Sequence, residues 1–178
     1  MEEKDEVLEY MKNKEWTKEN KIESKKYLVR MAQSNMKSKK LENKIGGVLI
    51  LNQIIEQLLK EVIISSIAYI KAEIWPSEVE LSIQISKATL GKLIDFFKKF
   101  AIKKCNREVL INLLEKLLIY RNKLVHNLFD LKDEKNICEE LIEYDNLSES
   151  IIELLIEYYN EISEQLFELD KRVNFDLI

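Results

Sequence analysis

Apolar residues recur along this chain at three- and four-residue spacing, the period of helices that bury one side. Between Leu41 and Ile74 the positions Ile45, Val48, Leu51 or Asn52, Ile55, Leu58 or Leu59, Val62 and Ser66 make one stripe, with further Ile and Leu beside it. A stripe this broad predicts a central helix contacted on more than one side. A third helix is predicted over about Ser86 to Phe100, turning Leu90, Leu93, Ile94, Phe97 and Phe100 or Ala101 inward. A fourth spans about Arg107 to Val125 on Leu110, Leu113 or Leu114, Leu117 and Leu124. The last runs roughly from Ile137 to Leu169 on Ile151, Leu155, Tyr158 or Tyr159, Ile162 and Leu166, with an interruption expected at the polar run YDNLSES.

Ahead of these four, residues 1 to about 12 carry a short helical side of Val7, Leu8 and Met11. Residues 17 to 44 are lysine-rich, with a thin stripe of Tyr27, Leu28, Met31 and Ala32. That segment reads either as a solvated helix face or as an arm that tracks phosphates. Gly46-Gly47 is expected to break or bend the entry to the central helix, and Pro76 to end it at Trp75. The alternating VELSIQIS has no partner strand in sight and is expected to be an extended loop. The whole is an all-α, up-and-down bundle of about four core helices with extra N-terminal helices. Its organisation is a Lys-rich N-terminal appendage over residues 1–40 and a bundle domain over 41–178.

Composition narrows the choice. Three glycines and one proline in 178 residues leave little room for a βαβ plan. Asn52, Gln53, Glu56, Gln57, Lys60 and Glu61 interrupt the greasiest run, which argues against a membrane span. Cys105 and Cys138 stand far apart with no ligand cluster around them, as expected of reduced thiols in a cytoplasmic protein. A formal net charge of −4 leaves any nucleic-acid contact to local basic patches.

Candidate chemistry gathers in LLIYRNKLVHNLF, residues 117–129, which holds the only histidine. At about 100° per residue, Leu114, Leu117, Arg121 and Val125 share one side of the fourth helix. Arg121 therefore occupies a stripe expected to be buried, where a guanidinium needs a partner. Asn122 and His126 are one turn apart and can touch. Arg121 and His126 point about 140° apart on an ideal helix. They converge if the helix ends or tightens near His126, or if the long arginine side chain wraps around. A plain structural alternative has Arg121 paired with a glutamate of the last helix and His126 capping terminal carbonyls.

YRNKLVHNLF resembles the RNxxxH version of the R-x(4–6)-H signature of HEPN domains, the helical-bundle domains of toxin, abortive-infection and RNA-processing proteins. The resemblance covers about residues 41 to 170. It implies a metal-independent endoribonuclease of the toxin or defence type, acting as a homodimer whose two motifs line one cleft. Carried over, Arg121 is the motif arginine, Asn122 the polar residue after it, and His126 the motif histidine. Some toxin subfamilies carry a tyrosine two residues after the histidine, which a partner nucleotidyltransferase modifies. Leu128 stands there in this chain, which puts that mode of control in doubt.

The residues fit the chemistry in their own right. RNA cleavage without a metal needs a group that exchanges a proton near neutrality and a fixed fork of donors for phosphate oxygens. Lys123 on the same turn is a further candidate for RNA contact, as are Lys98, Lys99, Lys103 and Lys104. Glu56 and Asn52 either orient Arg121 or form the polar edge of the central helix. No cofactor or metal is called for, and the expected partners are a second copy, RNA, and an antitoxin or regulatory protein. The alternative is a non-catalytic module of the same fold that binds a nucleotide, RNA or protein.

Overall fold

The computed structural model describes residues 18–74, 85–102, 106–130 and 134–175, with side chains described at 23–124 within those ranges and at 137 and 139–169. The helix expected in residues 1–12 and most of VELSIQIS lie outside the described residues. Among the described residues five helices pack into a bundle: α1 Lys18–Met36, α2 Leu41–Glu73, α3 Leu90–Phe100, α4 Arg107–Asp130 and α5 Glu134–Phe175. The all-α architecture follows from the periodicity.

α2 is the axis of the molecule. Leu51, Ile55, Leu58, Leu59, Val62 and Ile63 are buried, and α1, α3 and α5 all pack against it. Ser66 is buried in this stripe because its hydroxyl is satisfied within its own helix. It donates to the Val62 carbonyl, 2.8 Å away. Gly46 and Gly47 lie inside α2, which runs through them without a break. Gly47 instead allows close packing, since a Cβ there would stand 2.8 Å from the Ala32 carbonyl oxygen.

α1 docks by a face rotated from the expected stripe. Ala32 and Met36 are buried and Leu28 and Val29 pack against the core, whereas Tyr27 and Met31 are exposed. The turn Lys37–Lys40 reverses the chain, and the ion pair between Lys25 and Glu61 fixes α1 antiparallel to α2.

α3 begins at Leu90, a turn later than expected, with Leu93, Ile94 and Phe97 inward. Lys60 reaches the Ser86 carbonyl at 3.3 Å, which places Ser86, just ahead of α3, beside α2. Phe97 meets the Tyr158 ring edge-on at 5.5 Å. The Tyr158 hydroxyl donates to the Ile102 carbonyl, and burial pushes its pKa up to about 12.

α4 and α5 form an antiparallel pair, and both are longer than expected. α4 continues to Asp130, past the expected end at Val125. α5 is one helix of 42 residues and runs through YDNLSES. Tyr144, Ser148, Ile151 and Leu155 are all fully buried at the four–three–four spacing of one face. The buried Ser148 hydroxyl donates to the Tyr144 carbonyl at 2.7 Å. That bond lets a polar residue sit inward without ending the helix. No helix among the described residues is long and apolar enough to cross a membrane.

Candidate functional site

Position 121 is where the bundle departs from its own pattern. Leu117 and Leu124, which flank it on the inward side of α4, are 0% and 3% exposed. Arg121 itself is exposed, contrary to its expected burial, so the apolar stripe opens to solvent at this level. No ion pair holds Arg121 among the residues whose side chains are described.

The guanidinium is turned along its own helix. Arg121 Nη1 donates to Asn122 Oδ1 at 3.2 Å, with both side chains at the surface. Asn122 lies between the directions of Arg121 and position 126 on the helical wheel, one turn below the latter. The bond therefore carries the cation toward the side of α4 where the histidine is rooted. Continuation of α4 to Asp130 removes the expected helix end near His126 as a route to convergence. The wrapping of the arginine side chain is the route that remains. The side chain of His126 lies outside the described residues. Lys123 stands over the Tyr120 ring at 5.6 Å, on a different side of the helix from Arg121. The contact is a surface cation–π pair.

Behind the opening lies a polar chain that crosses from α5 to α2. The Tyr144 hydroxyl donates to Asn52 Oδ1 at 3.3 Å, and Asn52 Nδ2 donates to Glu56 Oε1 at 3.0 Å. Tyr144 is wholly buried, and burial pushes its pKa well above the ordinary phenol range. The positive charge of Arg121 works against that rise and the negative charge of Glu56 adds to it, so both groups lie near the phenol. Arg121, Asn52 and Glu56 thus all bear on the Tyr144 hydroxyl. Tyr144 is the member that sequence reasoning missed. Its position four residues before Ser148 and seven before Ile151 would have extended the stripe to it.

Tyr144→Phe removes the hydroxyl and leaves Asn52 Oδ1 without that donor. The variant is expected to unfold with about 0.5–1.5 kcal/mol less stability. A urea titration checks it, and an unchanged midpoint would show that the cross-helix bond contributes nothing net.

The other end of the bundle has the opposite character. A cavity of about 500 Å³ between α2 and α5 is lined by Glu73, Glu161, Glu164 and Glu168 with Tyr69 and Gln165. Among the described residues no group of three His, Cys, Asp or Glu side chains is arranged to hold a metal ion.

Comparison with known proteins finds no matching family model, no similar curated protein and no similar solved structure.

Proposed function

We propose that the protein is a metal-independent endoribonuclease of the toxin or defence type, with Arg121, Asn122 and His126 as its working residues. The observation that carries this reading is the Arg121–Asn122 bond at a solvent-open position of an otherwise buried stripe. A guanidinium kept at the surface without an ion-pair partner among the described residues is available to a phosphate, and the neighbouring amide aims it toward the histidine's side of the helix.

In the reaction, the 2′-oxygen of a ribose attacks the adjacent phosphorus and the bond from phosphorus to the 5′-oxygen breaks. The 2′-OH proton goes to a neutral imidazole, and the leaving 5′-oxygen takes a proton from a protonated one. Arg121 neutralises the charge that builds on the non-bridging oxygens. One histidine per chain serves one of these proton transfers, so a homodimer that brings two motifs together supplies both. Asn122 holds either the imidazole or a phosphate oxygen, and Lys123 adds a weaker contact to the strand.

The test is the chemistry of the ends. Purified protein is expected to cut RNA in the presence of EDTA and to leave 2′,3′-cyclic phosphate and 5′-hydroxyl termini. Products with 5′-phosphates, or activity that EDTA abolishes, would overturn the mechanism. RNA held tightly but recovered intact would turn the same residues into a binding site.

A further inference from the structure

The helix directions bring a second set of cations to the end of the bundle that holds Arg121. α1 runs antiparallel to α2, with Met36 against Gly47, so the C-terminal end of α1 lies at the N-terminal end of α2. α5 runs the same way as α2, since Tyr144 meets Asn52 near their beginnings, and Tyr69 and Gln165 line one cavity near their ends. α4 comes down against α5 and brings Arg121 beside Tyr144. The turn between α1 and α2 is thus at the same end as the arginine.

That turn holds Lys37, Lys39 and Lys40, and Lys44 follows one helical turn later. It is a built turn. The Ser38 hydroxyl accepts the Lys40 backbone N–H at 3.2 Å and Asn43 Nδ2 at 2.9 Å. None of the four lysines makes an ion pair among the described residues, whereas Lys25 and Lys98 do. The acidic groups close by are Glu42 within α2, and Asp145 and Glu149 on α5. Asp145 is pushed toward its neutral form by burial and by Glu149, against the pull of Lys37. Glu149 accepts a hydrogen bond from Gln33 at 3.2 Å. The macrodipoles of α1 and α2 oppose each other at this turn, so side-chain charge sets the local field.

Lys37 and Arg121 act electrostatically on consecutive residues of α5, Asp145 and Tyr144. Along α2, Lys44 precedes Asn52 by eight residues, a rise of about 12 Å. We infer that the α1–α2 turn, through Lys37, Lys39, Lys40 and Lys44, is the surface that holds the phosphate backbone of a single-stranded RNA whose next phosphates reach Arg121. The inference rests on the proposed ribonuclease reading for the identity of the strand.

The experiment separates the two readings by using a 2′-O-methyl oligoribonucleotide, which binds but has no free 2′-OH to attack. Its affinity is measured against salt for the wild type, for a variant with all four lysines changed to glutamine, and for a control with Lys71, Lys87, Lys92 and Lys116 changed to glutamine. Both variants lose four positive charges, and those of the control lie on exposed residues elsewhere. The turn variant is expected to bind weaker on the order of tenfold or more at low salt, with the salt slope falling by about 0.7 for each lysine that touches a phosphate. The control is expected to bind as the wild type does. Equal loss in the two variants, loss in neither, or no binding by the wild type would overturn the inference. Cleavage of unmodified RNA, assayed separately, decides the ribonuclease reading whatever the binding result.

Discussion

Replacing Arg121 with alanine is expected to lower the rate of RNA cleavage by roughly 10²–10³-fold, the loss that follows removal of one preorganised charge-stabilising donor. His126→Ala is expected to lower it by roughly 10²–10⁴-fold, since it removes the proton-transfer group. The fold is expected to survive the arginine change. Arg121 is exposed and has no described ion-pair partner. Its replacement should therefore move stability by at most about 0.5 kcal/mol, as for other surface substitutions. Asn122→Ala leaves both charges in place and releases the guanidinium from its hydrogen bond. Its expected loss is smaller than either of the others. Single-turnover cleavage of a labelled RNA, with thermal melting of each variant, checks the set. A double Arg121→Ala, His126→Ala protein that still cuts at the wild-type rate would remove the proposed site altogether.

The legible part of this molecule is the part in which residue type and burial agree. α2 can be read because Val48, Leu51, Ile55, Leu58, Val62 and Ser66 follow one helical face without a gap. Arg121 can be singled out for the opposite reason, as a charge at a position where its helix is apolar on both sides. Polar punctuation is what misleads. YDNLSES reads as a break because Asp, Asn and Ser compete for backbone bonds. Ser148 nevertheless satisfies itself on the Tyr144 carbonyl, and α5 continues. The charged run DLKDEKN, by contrast, does mark the end of α4, which stops at its first residue, Asp130. The Tyr144–Asn52–Glu56 chain is hidden for another reason: it joins residues 92 positions apart, and no local pattern encodes that contact.

Gly46 and Gly47 offer the sharpest contrast between a residue's general habit and its place. Both stand in the interior of α2. Glycine there costs about 1 kcal/mol relative to alanine. A Cβ at position 46 would meet no atom within 4 Å. Gly46→Ala is therefore expected to stabilise the protein by about 1 kcal/mol. A Cβ at position 47 would stand 2.8 Å from the Ala32 carbonyl oxygen and 3.0 Å from Met36 Cγ and Sδ. The methionine can swing aside, but the carbonyl belongs to the α1 backbone and moves only if that helix does. Overpacking of this kind costs roughly 1–3 kcal/mol, which exceeds or cancels the gain in helix propensity. Gly47→Ala is therefore expected to be neutral to destabilising by about 2 kcal/mol. Gly47→Leu is expected to be worse, because its Cβ meets the same carbonyl and the larger side chain adds volume at a buried position. Adjacent substitutions of the same chemistry thus differ by roughly 1–3 kcal/mol, a gap that urea unfolding resolves. If Gly47→Ala proved as stabilising as Gly46→Ala, the close approach of α1 to α2 would not exist. The lysine turn would then lose the anchor that fixes it at the arginine's end of the bundle.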